Sequence, residues 1–207
     1  MTISYAITVC NEFIEIQRLV HFLLRHKRTQ DNIVILYDEA NGDSEVENFL
    51  RSHSVNGEFA WHKAKFDRHF SNWKNKLTSF CTGDYIFQID ADEIPNENLI
   101  AVLPEVLVEN EEIDVFLVPR VNTVEGLTPE HIAKWGWNIT DTGWVNWPDY
   151  QWRIWKNKPE IQWVNKVHER LDGFKTYTAM PDVEYFALNH PKTISKQEKQ
   201  NDLYNTI

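Results

Sequence analysis

The 207-residue chain is short of cysteine, glycine and proline, with two, seven and eight. Cys10 and Cys81 each sit in an apolar stretch, and two thiols make no disulfide framework. A reducing compartment is expected, with both thiols buried as small hydrophobes. So little glycine and proline excludes a fibrous or linker-rich chain. Basic residues are also in deficit: 21 Lys plus Arg against 31 Asp plus Glu give a formal charge of −10. Such a chain is not built to grip phosphate backbones non-specifically, although a local basic patch could still hold a nucleic acid. No apolar run approaches the ~20 residues of a membrane span. The first ten residues lack a basic leader and read as a strand rather than a signal peptide. A cytoplasmic location is expected, with at most peripheral contact at the inner membrane. The sequon Asn138-Ile139-Thr140 carries no meaning there.

Hydrophobic residues at 42% and charged residues at 25% are ordinary globular values, which excludes wholesale disorder. What is abundant is tryptophan. There are nine, and seven of them fall between Trp135 and Trp163.

Up to about residue 119 strand and helix patterns alternate. Strands are expected at Ile3–Val9, Asn32–Tyr37, Gly57–His62, Asp84–Ile89 and Ile113–Val118. Helices are expected from Phe13 to Leu24 with Asn11 as cap, at Ser44–Ser52 capped by Asp43 or Ser44, at Asn72–Cys81, and at Asn96–Val108 with a break or kink near Pro104. This order means an α/β fold with a mostly parallel, Rossmann-like central sheet. From Arg120 the pattern loses periodicity. Gln151–Trp155 and Glu160–Val164 look like a strand pair, and Thr193–Tyr204 a polar helix whose neighbourhood holds Lys192, Lys196 and Lys199. One domain is expected, residues 1–119 forming one half and 120–207 a second half that finishes the site.

Open parallel sheets bind ligands beyond the carboxyl ends of their strands. Three such ends carry polar groups: Cys10-Asn11-Glu12, Asp38 to Asp43, and Asp90-Ala91-Asp92-Glu93. Two carboxylates spaced by one residue point the same way from an extended chain, and hard oxygens there suit Mg²⁺ or Mn²⁺. Ala91 keeps the gap small. A solvated acidic turn capping the next helix is the plain structural alternative. Asp38 has the chemistry to accept hydrogen bonds from a base or ribose, and Gly42 permits a tight turn.

With Thr8 to Glu12, Asp38 to Ser44, Phe70 to Asn75 and Thr82 to Glu93 in that order, the chain resembles the family 2 glycosyltransferases. Val167-His168-Glu169-Arg170-Leu171 and Asn189-His190-Pro191 are similar to late elements of a bacterial branch that glycosylates lipopolysaccharide cores and related glycans. The resemblance implies a GT-A fold, a nucleotide-sugar donor with UDP as the default, an inverting single displacement, and Mn²⁺ or Mg²⁺. It implies Asp92 as direct metal ligand, Asp90 at ribose or metal through water, and His190 at metal or diphosphate. Asp38 would read the base, Asn11 and Glu12 would lie near the ribose, and Lys74 and Asn75 near the nucleotide, Lys74 standing where relatives often carry Arg. Arg153 would meet the diphosphate or acceptor. Glu169 is the first choice of base, with His168 orienting it or touching phosphate, and Glu93, on the acceptor side, the reserve for base or metal. Trp144 and Trp147 are expected exposed, stacking on the acceptor, while about half of the tryptophans form a satellite core. The acceptor would be a glycan, a lipid-linked glycan or a hydroxylated base in phage DNA.

Other classes fit less well. A haloacid-dehalogenase-type phosphatase wants its Asp-x-Asp on an early strand with Thr or Val two residues on, where Ile94 stands here. A nucleotidyltransferase wants a Gly-rich loop where Cys10 to Phe13 stands. A non-catalytic glycan-binding module would not need both aspartates and Glu169.

Overall fold

A computed structural model describes residues 1–206; the side chains of Gln200 and of residues beyond 202 lie outside the description. The first half runs β1 (Ile3–Val9), α1 (Phe13–His26), β2 (Asn32–Asp38), α2 (Ser44–Ser54), β3 (Ala60–Ala64), α3 (Phe70–Thr78), β4 (Tyr85–Asp90), β5 (Ile94–Pro95), α4 (Glu97–Glu109) and β6 (Val115–Val118). The second half adds β7 (Arg120–Glu125), α5 (Pro129–Trp135), β8 (Gln151–Lys156), β9 (Gln162–Val164), β10 (Arg170–Asp172), β11 (Tyr177–Ala179), a 3₁₀ turn at Glu184–Phe186, β12 (Leu188–Thr193) and α6 (Ile194–Thr206).

The main sheet has the order β11-β6-β8-β4-β1-β2-β3. β4, β1, β2 and β3 are parallel, and β11 is parallel to β6. Strand alternation sends Ile3, Tyr5, Ile7 and Val9 into one core and Ala6 into the other. The larger core is closed by α1, α2 and α4, and α1 offers Ile16, Leu19, Val20 and Leu23 as one stripe. The smaller core, under α3, holds Trp73, Trp155 and Trp163. Gly42 is required where the loop after β2 folds back: a Cβ there would stand 2.3 Å from the Tyr37 ring.

Several expectations are corrected. Gln151–Trp155 does not pair with 160–164. β8 inserts antiparallel between β4 and β6, and β9 pairs instead with β10. Residues 121–150, without periodicity, contain β7 and α5, the latter capped by Thr128. Asn11 caps nothing: Glu12 is the N-cap of α1 and makes no side-chain cap bond. The helix of 97–109 runs through Pro104. Lys192 belongs to β12, not to the terminal helix. Cys81 is buried, but Cys10 at the end of β1 is only partly so.

Two features of the second half position the site. Because β8 runs against β4, its beginning lies at the carboxyl end of β4. Its register against β6 skips one residue, Arg153, a bulge of the kind that re-aims a side chain. A separate sheet, β5-β12-β7, pairs β12 with the strand just past Asp92 and puts His190 opposite Asn122. Among the described residues no helix is long and apolar enough to cross a membrane.

Candidate active site

A cavity of about 790 Å³ opens at the carboxyl ends of β1 and β4. Asp90, the last residue of β4, lies in its floor. Arg153 Nη2 donates to Asp90 Oδ2 at 2.6 Å, and Gln88 Nε2 donates to Oδ1 at 2.8 Å. Burial opposes the charge on Asp90, but the Arg153 guanidinium wins and holds its carboxyl far below the usual range.

From Asp90 a chain of polar contacts runs through the second half and returns to Asp92. The same Arg153 nitrogen donates to Glu93 Oε1 at 2.6 Å. Glu93 also accepts from Arg120 Nη1 at 3.0 Å. Arg120 grips Asp149 Oδ2 through Nε and Nη2, at 2.9 and 2.7 Å. Asn122 Nδ2 donates to that same oxygen at 2.8 Å, and Asn122 Oδ1 lies 2.7 Å from His190 Nδ1. His190 Nε2 then stands 3.4 Å from Asp92 Oδ2, as does Lys196 Nζ. Arg153 and Glu93 are 2% and 0% exposed, so their charges are compensated by their ionic partners, Asp90 and Arg120 included, rather than by water.

The Asp92–His190 pair fits a divalent ion in kind. One carboxylate oxygen and one imidazole nitrogen are ligands that Mn²⁺ accepts. Burial lowers the His190 pKa despite the Asp92 carboxylate beside it. For Asp92 burial works against ionisation, but His190 and Lys196 keep its carboxyl below the ordinary range. Among the described residues no cluster joins three such ligands. Phosphate oxygens and water would complete the shell, the usual arrangement where a metal serves a phosphate.

On the opposite wall, α3 holds the hairpin loop that carries His168 and Glu169. Phe70 N–H donates to Lys166 O at 3.0 Å, and Ser71 Oγ bonds Asn165 O. Lys74 Nζ is 2.5 Å from Glu169 Oε1 and 4.4 Å from the centre of the Trp163 ring. His168 faces the cavity from a left-handed backbone position, φ 52°.

The cavity thus gathers Asn11, Glu12, Lys74, Asp90, Ala91, Asp92, Arg153, His168, Glu169 and His190. Glu12 turns its carboxylate onto the amides of Cys10 and Asn11, and burial followed by the charge of Asp92 raises its pKa.

The structure reassigns the others. Asp38 accepts from the Ala40 and Phe66 amides and the Asn41 side chain, and so ties two loops together. Asn75 is a pin: its amide gives to and takes from the backbone of Trp163, at 2.9 and 2.8 Å. Glu93 is fully buried between two arginines. Arg153, although it borders the cavity, is committed to Asp90, Glu93 and Gln88. Trp144 and Trp147 are half-buried and pack on each other, ring centres 4.8 Å apart; the tryptophans bordering the cavity are Trp137, Trp152 and Trp163.

Sequence reasoning missed Arg120, Asn122 and Asp149, and named Lys196 only as part of a polar terminal helix. One signal was available. Inspecting the residues just past the strand at 113–118, as was done for three other strands, leads to Arg120.

The family model described as Glycosyl transferase family 2 matches residues 4–186. No curated protein matches the chain. Among solved structures, S. aureus TarS 1–349 superposes with a TM-score of 0.64 at 12% identity, covering 92% of this chain and 60% of that one. The same protein in complex with UDP-GlcNAc gives 0.62 at 13% identity, covering 93% and 59%. The chain therefore spans about three fifths of the TarS structure it matches. At such identity the likeness is one of fold: an α/β layering with a mostly parallel central sheet.

Proposed function

From the premise that the chain belongs to glycosyl transferase family 2, we propose that it transfers a sugar from a UDP-linked donor to an acceptor hydroxyl, with inversion and with a divalent metal. One observation carries this reading. Asp92 and His190 converge on one point beside Asp90, in a cavity whose volume is in the range that holds a small ligand. The complex of TarS with UDP-GlcNAc supports a uridine donor. Family membership sets aside the phosphatase and nucleotidyltransferase alternatives.

Asp92 and His190 would hold the metal, which when bound offsets charge gathering on the departing diphosphate. Lys196 and Lys192 line the same part of the cavity and bring further positive charge to that group. Asn11 and Glu12 border the ribose side. The acceptor oxygen attacks the anomeric carbon as the bond from that carbon to the diphosphate oxygen breaks. The electron pair leaves with the nucleoside diphosphate, and the hydroxyl proton passes to Glu169. Lys74 holds Glu169 in place and keeps a cation at the edge of the donor site. Trp137 and Trp152 offer ring faces to an acceptor glycan, which is the acceptor class we favour in an acidic chain.

The test is donor binding and hydrolysis with UDP-sugars, with and without Mn²⁺. Thermal stabilisation by UDP that grows with Mn²⁺, and slow donor hydrolysis lost on chelation, are expected. Equal behaviour with and without the metal would overturn the metal assignment. No response to any nucleotide sugar would overturn the donor assignment.

A further inference from the structure

We infer that the acceptor is an oligosaccharide rather than a single sugar, and that Phe174 and Tyr177 form an outer subsite for the sugar next to the one that is glycosylated. The inference deepens the transferase reading above and rests on it for the fate of the inner sugar, although not for the existence of the outer subsite.

The subsite is a ledge of three rings that begins inside the cavity. Trp152 borders the cavity and is half-buried. Its ring centre lies 5.5 Å from that of Phe174 and 6.0 Å from that of Tyr177, and those two are 5.7 Å apart. Sheet register explains why the rings meet. β6 sets Leu117 opposite Trp152 of β8, and sets Val115, two residues earlier, opposite Tyr177 of β11. Residues two apart share a face of a sheet, so Trp152 and Tyr177 stand on the same side. Phe174, just before β11, completes the triangle, and with Trp152 it packs on the smaller core. The ledge then runs out to the rim of the main sheet, where β11 is the last strand. Phe174 is half-buried there and Tyr177 is 59% exposed.

Chemistry selects the occupant. A pyranose has apolar C–H faces and a hydroxyl rim, so it seats best on an aromatic ring with polar groups at its side. The exposed Asp172 and Lys175 flank these rings and can bond hydroxyls. Successive sugars of a chain follow one another at about one ring width, which is how Tyr177 follows Trp152. The ledge is also continuous with the cavity, so a chain lying on it points one end at the reacting centre. A protein partner fits less well. Two open rings bury at most roughly 500 Å², against about 800 Å² on each side of a stable complex.

The experiment is a printed array of bacterial mono- to pentasaccharides, probed with the fluorescently labelled full chain in UDP and Mn²⁺. The wild type is expected to be retained on glycans of two or more sugars and not on single sugars. Tyr177→Ala should weaken that retention roughly 3- to 10-fold, the worth of one aromatic contact. Tyr177→Phe keeps the ring and should bind as the wild type does, as should Tyr185→Ala, which removes an exposed tyrosine from the 3₁₀ turn. The length dependence of the wild type tests the inference without any variant. Equal retention of single sugars and chains, retention of no glycan, or a Tyr177→Ala chain that binds like wild type overturns it. A self-association in sedimentation that Tyr177→Ala abolishes gives the ledge to a second copy of the chain and overturns it too. Length-dependent retention by a chain that UDP does not stabilise supports the subsite and overturns the transferase reading. Stabilisation by UDP without glycan retention does the reverse.

Discussion

The two halves of the molecule are held together by different forces. In residues 1–119, parallel backbone ladders and apolar stripes do the work, and β1 and β2 are buried almost throughout. Residues 120–207 give the main sheet only β8 and β11, and side-chain charges add to what those strands hold. Arg153, Arg120 and Asp149 come from this half, and with Glu93 and Asp90 they form a linked chain of charges around the fully buried Glu93. The difference teaches where precision comes from. The regular half delivers two carboxylates to the tip of the sheet. The irregular half decides which way they point.

The contrast is tested most severely at Arg153. Removing it by Arg153→Met leaves Asp90 without its cation and the fully buried Glu93 with Arg120 alone, and should lower unfolding stability by about 4 kcal/mol. Ile7→Val, fully buried in β1, should cost only about 1 kcal/mol. Urea unfolding of both variants gives the comparison. If the two losses are equal, the charges are not what holds the second half.

Next comes Asp92→Asn, which asks for function without architecture. Asp92 is a terminus of the polar chain rather than a link in it, so stability should hold within about 1 kcal/mol. Donor hydrolysis with Mn²⁺ should fall roughly a hundredfold, since a neutral amide is a poor ligand for a hard cation. A variant that unfolds easily but hydrolyses donor normally would reverse the assignment.

Asn75→Ala sits at a seam between the halves. The resemblance implied a nucleotide contact, while the geometry makes Asn75 a double hydrogen bond from α3 to β9. A loss of about 2 kcal/mol in stability is expected, with no change in donor KM. A tenfold rise in donor KM at unchanged stability would restore the nucleotide role.

These reassignments show what could be read from the amino acids. β1, α1, β2, α2 and β4 were legible because each carries a periodic apolar pattern and ends at a polar cluster. Asp90, Asp92 and His190 were legible as motif residues, and they do meet at one cavity. The roles of Asp38, Asn75, Glu93 and Arg153 were not, because a motif names a residue without saying which way its side chain is spent. Arg153 turns on a bulge in a strand that inserts antiparallel, and nothing local to Trp152-Arg153-Ile154 encodes that insertion. Asn122 and Asp149 lie in a stretch without periodicity. They matter only because β12 returns beside β7, a pairing between residues nearly seventy positions apart.

The smallest effect is expected at the other seam, where Asp114 just before β6 is met by cations of the second half. Lys158 Nζ stands 2.8 Å and Lys156 Nζ 3.4 Å from Oδ1, and the Lys175 amide donates to Oδ2 at 3.0 Å. Burial would raise its pKa, but these partners, Lys158 first, bring it down to about 2. A carboxyl lowered in the folded state adds stability above its unfolded pKa near 4, and that stability is lost as pH falls towards 2. Asp114→Asn should therefore cost about 1 kcal/mol at pH 7, because Lys158 is 43% exposed and solvent screens the pair. The gap between variant and wild type, read from urea midpoints, should narrow steadily below about pH 4. A gap that stays constant with pH would mean that the amide geometry of Lys175, rather than charge, ties the two halves at this edge.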